Sequence, residues 1–162
     1  MATVHNHVAT DNERRHAGAI VLTTEPALAA WQRAWRQGIV PQLTTTGLEG
    51  LRKALIQDDP RLITGATTNP PPLHCVADWA VEGCCPLCFA LLDGRKPYEV
   101  SVGPMEERFA LACWNADQLL GEPAGVRYFL NAVDEWSRPD LIRNLLPEID
   151  WALAQRGTPA AA

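Results

Sequence analysis

Three consecutive prolines, Pro70, Pro71 and Pro72, set the strongest limit on how this chain folds. Each fixes its own φ and removes a backbone donor, so the stretch enters neither a helix interior nor a central strand and favours stiff polyproline II. Residues 64–73 therefore read as a connector between two helical parts. Other prolines mark starts. Pro26, Pro104, Pro123 and Pro139 each open an apolar run with helical period, where a missing N–H costs nothing. Pro147 alone falls inside such a run, and it is expected to kink or split that helix.

Between these marks the periodicity predicts helices. The first spans about Glu25 to Gln37, with Thr24 as N-cap, Gly38 closing it, and Leu28, Trp31 and Trp35 on one face. The ordinary reading of that aromatic stripe is core. Thr46-Gly47-Leu48-Glu49 matches a capping box and opens a second helix, with Leu48, Leu51 and Leu55 inward and Asp58-Asp59-Pro60 ending it. In the last third, Phe109, Ala112, Cys113, Ala116, Leu119 and Leu120 share one face before Gly121. Val126, Phe129, Leu130, Val133 and Trp136 share another, and Ile142, Leu145, Leu146 and Ile149 a third. Between the halves, Asp93-Gly94 is a two-residue turn signal. It is followed by alternating Tyr98, Val100 and Val102, so a hairpin is expected there, with Pro97 confining the strand to an edge. The alternative is a short helix over Cys88 to Leu92, with only the later run extended.

The expected fold is mostly α: one domain of about five helices, with a small hairpin or extended piece near the cysteine cluster. Residues 1–18 read as a tail and 19–156 as the domain. Within it lie a helical pair (19–63), the connector (64–73), the cysteine cluster and hairpin (74–103) and a three-helix unit (104–156). Residues 157–162 read as a second tail.

Length and charge bound the function. The 162 residues, 47% hydrophobic and 20% charged, suffice for one real core and rule out a mainly disordered chain. No run approaches the roughly 18 apolar residues of a membrane span, and the polar start lacks an apolar secretory core. Cytoplasmic placement follows, where cysteines stay reduced or hold metal. The net charge is −5, with +1 up to Arg61 and −6 beyond it. That balance argues against general nucleic-acid binding. Arg52 and Lys53 alone are too little basic charge for a reading helix in a helix-turn-helix. His5, His7 and His16 fall in the tail, outside any nuclease or metal framework.

Chemistry concentrates in one place. His74-Cys75 and Cys84-Cys85-Pro86-Leu87-Cys88 put four of the five cysteines and one histidine within fifteen residues. The C-x-x-C of Cys85 and Cys88 lets two thiolates share one ion from a single turn, with Cys75 or His74 supplying further ligands and Cys84 a substitute. Structural zinc is the sharp reading. Against it, only one such pair is present, and Phe89-Ala90 stands where a zinc knuckle carries glycine. Thiol redox chemistry uses the same motif, at a helix N-terminus after a strand inside an α/β sheet. This chain shows no βαβ alternation. The ordinary reading is reduced, buried thiols, and Cys113 fills core on its own helix.

Other catalytic signatures are missing: no G-x-S-x-G elbow, no Walker A loop, no G-x-G-x-x-G and no H-E-x-x-H. The pairs Glu106-Glu107 and Asp134-Glu135 read as solvated. An enzyme is not expected. The favoured function is a non-enzymatic interaction module for a protein partner, with Trp79, Trp114 and Trp151 as anchor candidates, since tryptophan is enriched at binding hot spots. The rival is a zinc- or thiol-dependent protein centred on Cys75, Cys85 and Cys88.

Overall fold

The structure is a computed structural model that describes residues 25–157. It is mostly helical, with one small two-stranded antiparallel sheet. Helix α1 (Glu25–Arg33) runs into a π-helical turn (Ala34–Ile39) and a 3-10 turn (Val40–Gln42), followed by α2 (Thr45–Ile56). Strand β1 (Thr68–Asn69), a 3-10 turn (His74–Val76) and β2 (Gly83–Cys84) lead into α3 (Pro86–Leu91). A 3-10 turn (Pro97–Glu99) precedes α4 (Val102–Leu120), α5 (Arg127–Glu135) and α6 (Arg138–Gly157). The five expected helices are present and α3 is an addition. Thr24, the tail 1–18 and residues 158–162 lie outside the described residues.

The N-terminal helices pack directly onto the C-terminal ones. Trp35 has no exposed surface, and its ring stacks on Phe129 of α5 with centroids 5.3 Å apart. Its Nε1 donates to the Glu148 carbonyl of α6 at 3.3 Å. One residue on, Arg36 grips the Glu148 carboxylate through two nitrogens, each at 2.8 Å, and Gln32 adds a third bond at 3.1 Å. Paired and hydrogen-bonded in this way, the buried carboxylate of Glu148 is tolerable in a core. Gly38 lets the π-turn lie against α4, since a Cβ there would stand 3.1–3.2 Å from Leu120 and Ala116. On the other side, α2 buries Leu48, Leu51 and Leu55 as its period requires, against α6 and α3.

Several details depart from the sequence reading. The cap of α2 is Thr44, two residues earlier than expected: its hydroxyl accepts from Gly47 N–H at 2.9 Å and donates to Asp93. Thr46 lies inside the helix, so the Thr46–Glu49 capping box does not form. No hairpin forms at Asp93-Gly94. Both residues have positive φ, 54° and 83°, but they end α3 instead of joining two strands. The cause is local, because Cys85 as N-cap with Pro86 at the first position commits 86–91 to helix, close to the alternative at Cys88 to Leu92. Tyr98 then falls in a 3-10 turn, and only Ser101 makes an isolated bridge, to Ala80.

The extended piece forms upstream. β1 pairs with β2 in the register Thr68 with Cys84 and Asn69 with Gly83, and it sits inside the connector just ahead of the prolines. On its other side Cys84 exchanges bonds with residues 61 and 63, at 2.9 and 3.0 Å. Finally, α6 is continuous across Pro147 and is not split. Leu145, Ile149 and Ala152 are buried on both sides of the proline, so packing holds the helix through the lost hydrogen bond.

Several expected inward residues face solvent. Leu28, Leu119 and Ile142 are exposed, while Ala112, Ala116, Leu120 and Leu141 are buried. The stripes are narrower than the periodicity implied.

The approach of α2 to α3 is set by Gly47, where a Cβ would lie 2.2 Å from the Ala90 carbonyl oxygen. Gly50, in the same helix, has nothing within 4 Å. Gly47→Ala is expected to lower unfolding free energy by about 2 kcal/mol or more. Gly50→Ala should raise it by about 0.5–1 kcal/mol. Urea unfolding of the two variants checks the pair.

Candidate functional site

The cysteine segment is organised by β2 and α3. Cys84 is held in the strand by Arg61 and Thr68, and neither Cys84 nor Cys88 has exposed surface. Cys85 is the N-cap of α3, its sulfur accepting from the Cys88 N–H at 3.5 Å. The Cys88 side chain hydrogen-bonds the same sulfur, and this bond, with backbone bonds from Cys88 and Leu87, holds the Cys85 thiol below its ordinary range despite burial. Cys88, the donor of that bond, is pushed up, and burial raises it further. Burial also pushes up Cys84, and Cys113 on α4 to about 12. Within this group the shift runs down at Cys85 alone and up at the other three.

Cys85 lines a pocket of about 170 Å³ whose exposed rim is Gly65, Ala66 and Asp134. Asp134 accepts from Gly65 N–H at 3.3 Å, yet partial burial raises its carboxyl above the usual range. Glu106 is raised for the same reason, although the Thr68 hydroxyl donates to it at 3.4 Å. Glu106 is half-buried, a correction to its solvated reading, while Glu107, Asp134 and Glu135 are exposed.

The candidate metal ligands are only partly assembled. Cys85 and Cys88 meet, with Cys84 adjacent in the chain. Cys75 is exposed on the 3-10 turn that begins at His74. Among the described residues, no three His, Cys, Asp or Glu side chains group so as to hold one ion.

The candidate anchors separate cleanly. Trp79 is 60% exposed in the loop before β2, and Trp114 is 63% exposed on the outer face of α4. Trp151 is half-buried, with the Arg36 guanidinium 4.5 Å above its ring. The sequence reading passed over Leu111, which is 59% exposed one helical turn from Trp114. The signal was there: both apolar residues fall outside the inward stripe of their helix. Pockets of about 450 and 510 Å³ flank this face. The first is lined by Leu91, Leu111 and Arg108, the second by Trp114, Asp117 and Glu122.

The raised carboxyl of Asp134 gives a pH test. A folded-state value above the unfolded one, near about 3.9, means the folded state binds the proton more tightly. The destabilisation is then absent below the unfolded value and complete above the folded one. Asp134→Asn keeps the acceptor for Gly65 and removes the charge. It should stabilise the protein slightly at pH 7, within about 0.5 kcal/mol because the residue is exposed, and the gain should vanish below about pH 4. Thermal unfolding of both proteins across that range reads it. No protein-family model, no curated protein and no solved structure matches this chain, so likeness to a known protein adds nothing to the chemistry of the site.

Proposed function

We propose that the chain is a non-enzymatic docking module that binds a protein partner through the outer face of α4. The observation that carries this reading is the exposure of Trp114 beside Leu111, while Trp31 and Trp35 are buried. A large indole left in water next to a second apolar side chain, with depressions on either side, has the anatomy of a hot spot. The pocket beside Trp114 has Asp117 and Glu122 among its lining residues and no basic one. Glu122 shares its charge with Arg33 at 3.3 Å, and Asp117 accepts N–H bonds from Ala124 and Val126, which leave its charge in place. The partner segment in this reading presents an apolar anchor flanked by Lys or Arg.

The wider setting agrees. No helix among the described residues is long and apolar enough to cross a membrane. The five free cysteines suit a reducing cytoplasm, where we place the protein. The acidity beyond Arg61 disfavours a phosphate backbone as partner.

The test is selection from a displayed library of random peptides, followed by affinity measurement on single peptides. Enriched peptides should combine an aromatic or aliphatic anchor with basic residues. Trp114→Ala should weaken them at least about tenfold with an unchanged unfolding temperature. Absence of enrichment, or equal binding by Trp114→Ala, overturns the proposal. Loss of binding on Trp79→Ala alone moves the surface off α4 and overturns it equally.

A further inference from the structure

The docking face leaves the Cys85–Cys88 pair unused, and that pair has a directional layout. Of the three cysteines in residues 84–88, Cys85 is 4% exposed and the other two are 0%. Cys85 is also the one among them that lines the 170 Å³ pocket, together with Thr67, Phe109, Leu130, Val133 and Asp134. Behind it, Cys88 sits three residues along the first turn of α3, with its N–H 3.5 Å from the Cys85 sulfur and its thiol bonded to the same atom. Cys85 thus borders the pocket, and Cys88 lies against it with no exposed surface. Cys75, the exposed cysteine, lies on a separate turn.

We propose that Cys85 and Cys88 form a peroxide-reactive dithiol, in which Cys85 reduces a small hydroperoxide entering the pocket and Cys88 closes the product into an intrachain disulfide. The pocket size and the slight exposure of Cys85 select the oxidant. Hydrogen peroxide or a small alkyl hydroperoxide fits, and a protein disulfide does not reach the sulfur. In the first step the Cys85 sulfur attacks the distal oxygen of hydrogen peroxide. An S–O bond forms, the O–O bond breaks, and the hydroxide released takes up the proton given up by Cys85 as water. In the second, the Cys88 sulfur attacks the Cys85 sulfur as its own proton departs. The S–S bond forms, the S–O bond breaks, and a second water leaves. Two thiols lose two electrons, and one peroxide becomes two waters. A small dithiol reverses the disulfide by exchange.

Placement sets the order of events: Cys85 borders the pocket through which a peroxide enters, and Cys88, with no exposed surface, meets it through an N–H 3.5 Å from the Cys85 sulfur.

The folded full-length protein is treated with hydrogen peroxide, quenched by alkylation in denaturant at intervals, and mapped by mass spectrometry. The Cys85–Cys88 disulfide should form at least about tenfold faster than Cys75 is oxidised, and dithiothreitol should reverse it. Chain unfolded in denaturant should lose that preference. Cys88→Ser should stop at a Cys85 sulfenic acid that dimedone traps, while Cys84→Ser should still form the disulfide. Oxidation of Cys75 ahead of Cys85, or equal preference in folded and unfolded chain, overturns the proposal. The comparison with Cys75 is made within the wild-type protein, so it stands even where a variant fails to fold.

Discussion

The burial of Trp35 is the constraint on which the rest of this structure depends. A residue that large, with a polar N–H on its edge, enters a core only where aromatic surface and an acceptor are both supplied. Phe129 supplies the first and the Glu148 carbonyl the second. This brings α5 and α6 against the π-turn that follows the chain's first helix. Arg36 and Gln32 then hold the Glu148 side chain at the same level of α6. The wider π-turn brings Trp35, Gly38 and Ile39 to the buried side together, and Gly38 admits α4.

A π-turn and short helices leave carbonyl groups without intrahelical partners, and each is costly if buried unpaired. Arginines from distant elements meet them. Arg156 bonds the Val40 and Leu43 carbonyls at 2.8 and 2.6 Å, Arg33 the Leu120 carbonyl at 2.8 Å, and Arg138 those of Asp59 and Leu62. The same arginines tie positions between 33 and 62 to α4 and α6. Secured on both sides, the cysteine segment is part of the core, with Cys84 between β1 and an isolated bridge at Leu62, and α3 against Gly47 of α2.

Legibility in the sequence followed the range of the interaction. Local signals read well. The Leu48, Leu51 and Leu55 face of α2 is buried, and Gly121 closes α4 in a left-handed conformation, φ 65°. The turn at Asp93-Gly94 is real as well, but a turn signal does not say what it joins: here it ends the helix that Pro86 opens and not a hairpin strand. Glu148 could not be read as a core residue, because its partners Arg36 and Gln32 lie more than 110 positions away. The fate of Trp151, covered by Arg36, was hidden for the same reason, whereas Trp114 and Leu111 stood off the apolar stripe in plain view. At the cysteines, spacing alone identified the pair that meets. Which cysteine borders a pocket depends on residues 65–67, α4 and α5, and no spacing carries that.

Native-state hydrogen exchange is the most direct measurement of whether Trp35 joins the whole chain into one core. With increasing denaturant, the slowest amides of α1, α2, α4 and α6, and those of Cys84 and Phe89, should converge on a single opening free energy. Exchange of residues 25–63, or of the cysteine segment, through a separate opening of lower free energy would contradict the shared core.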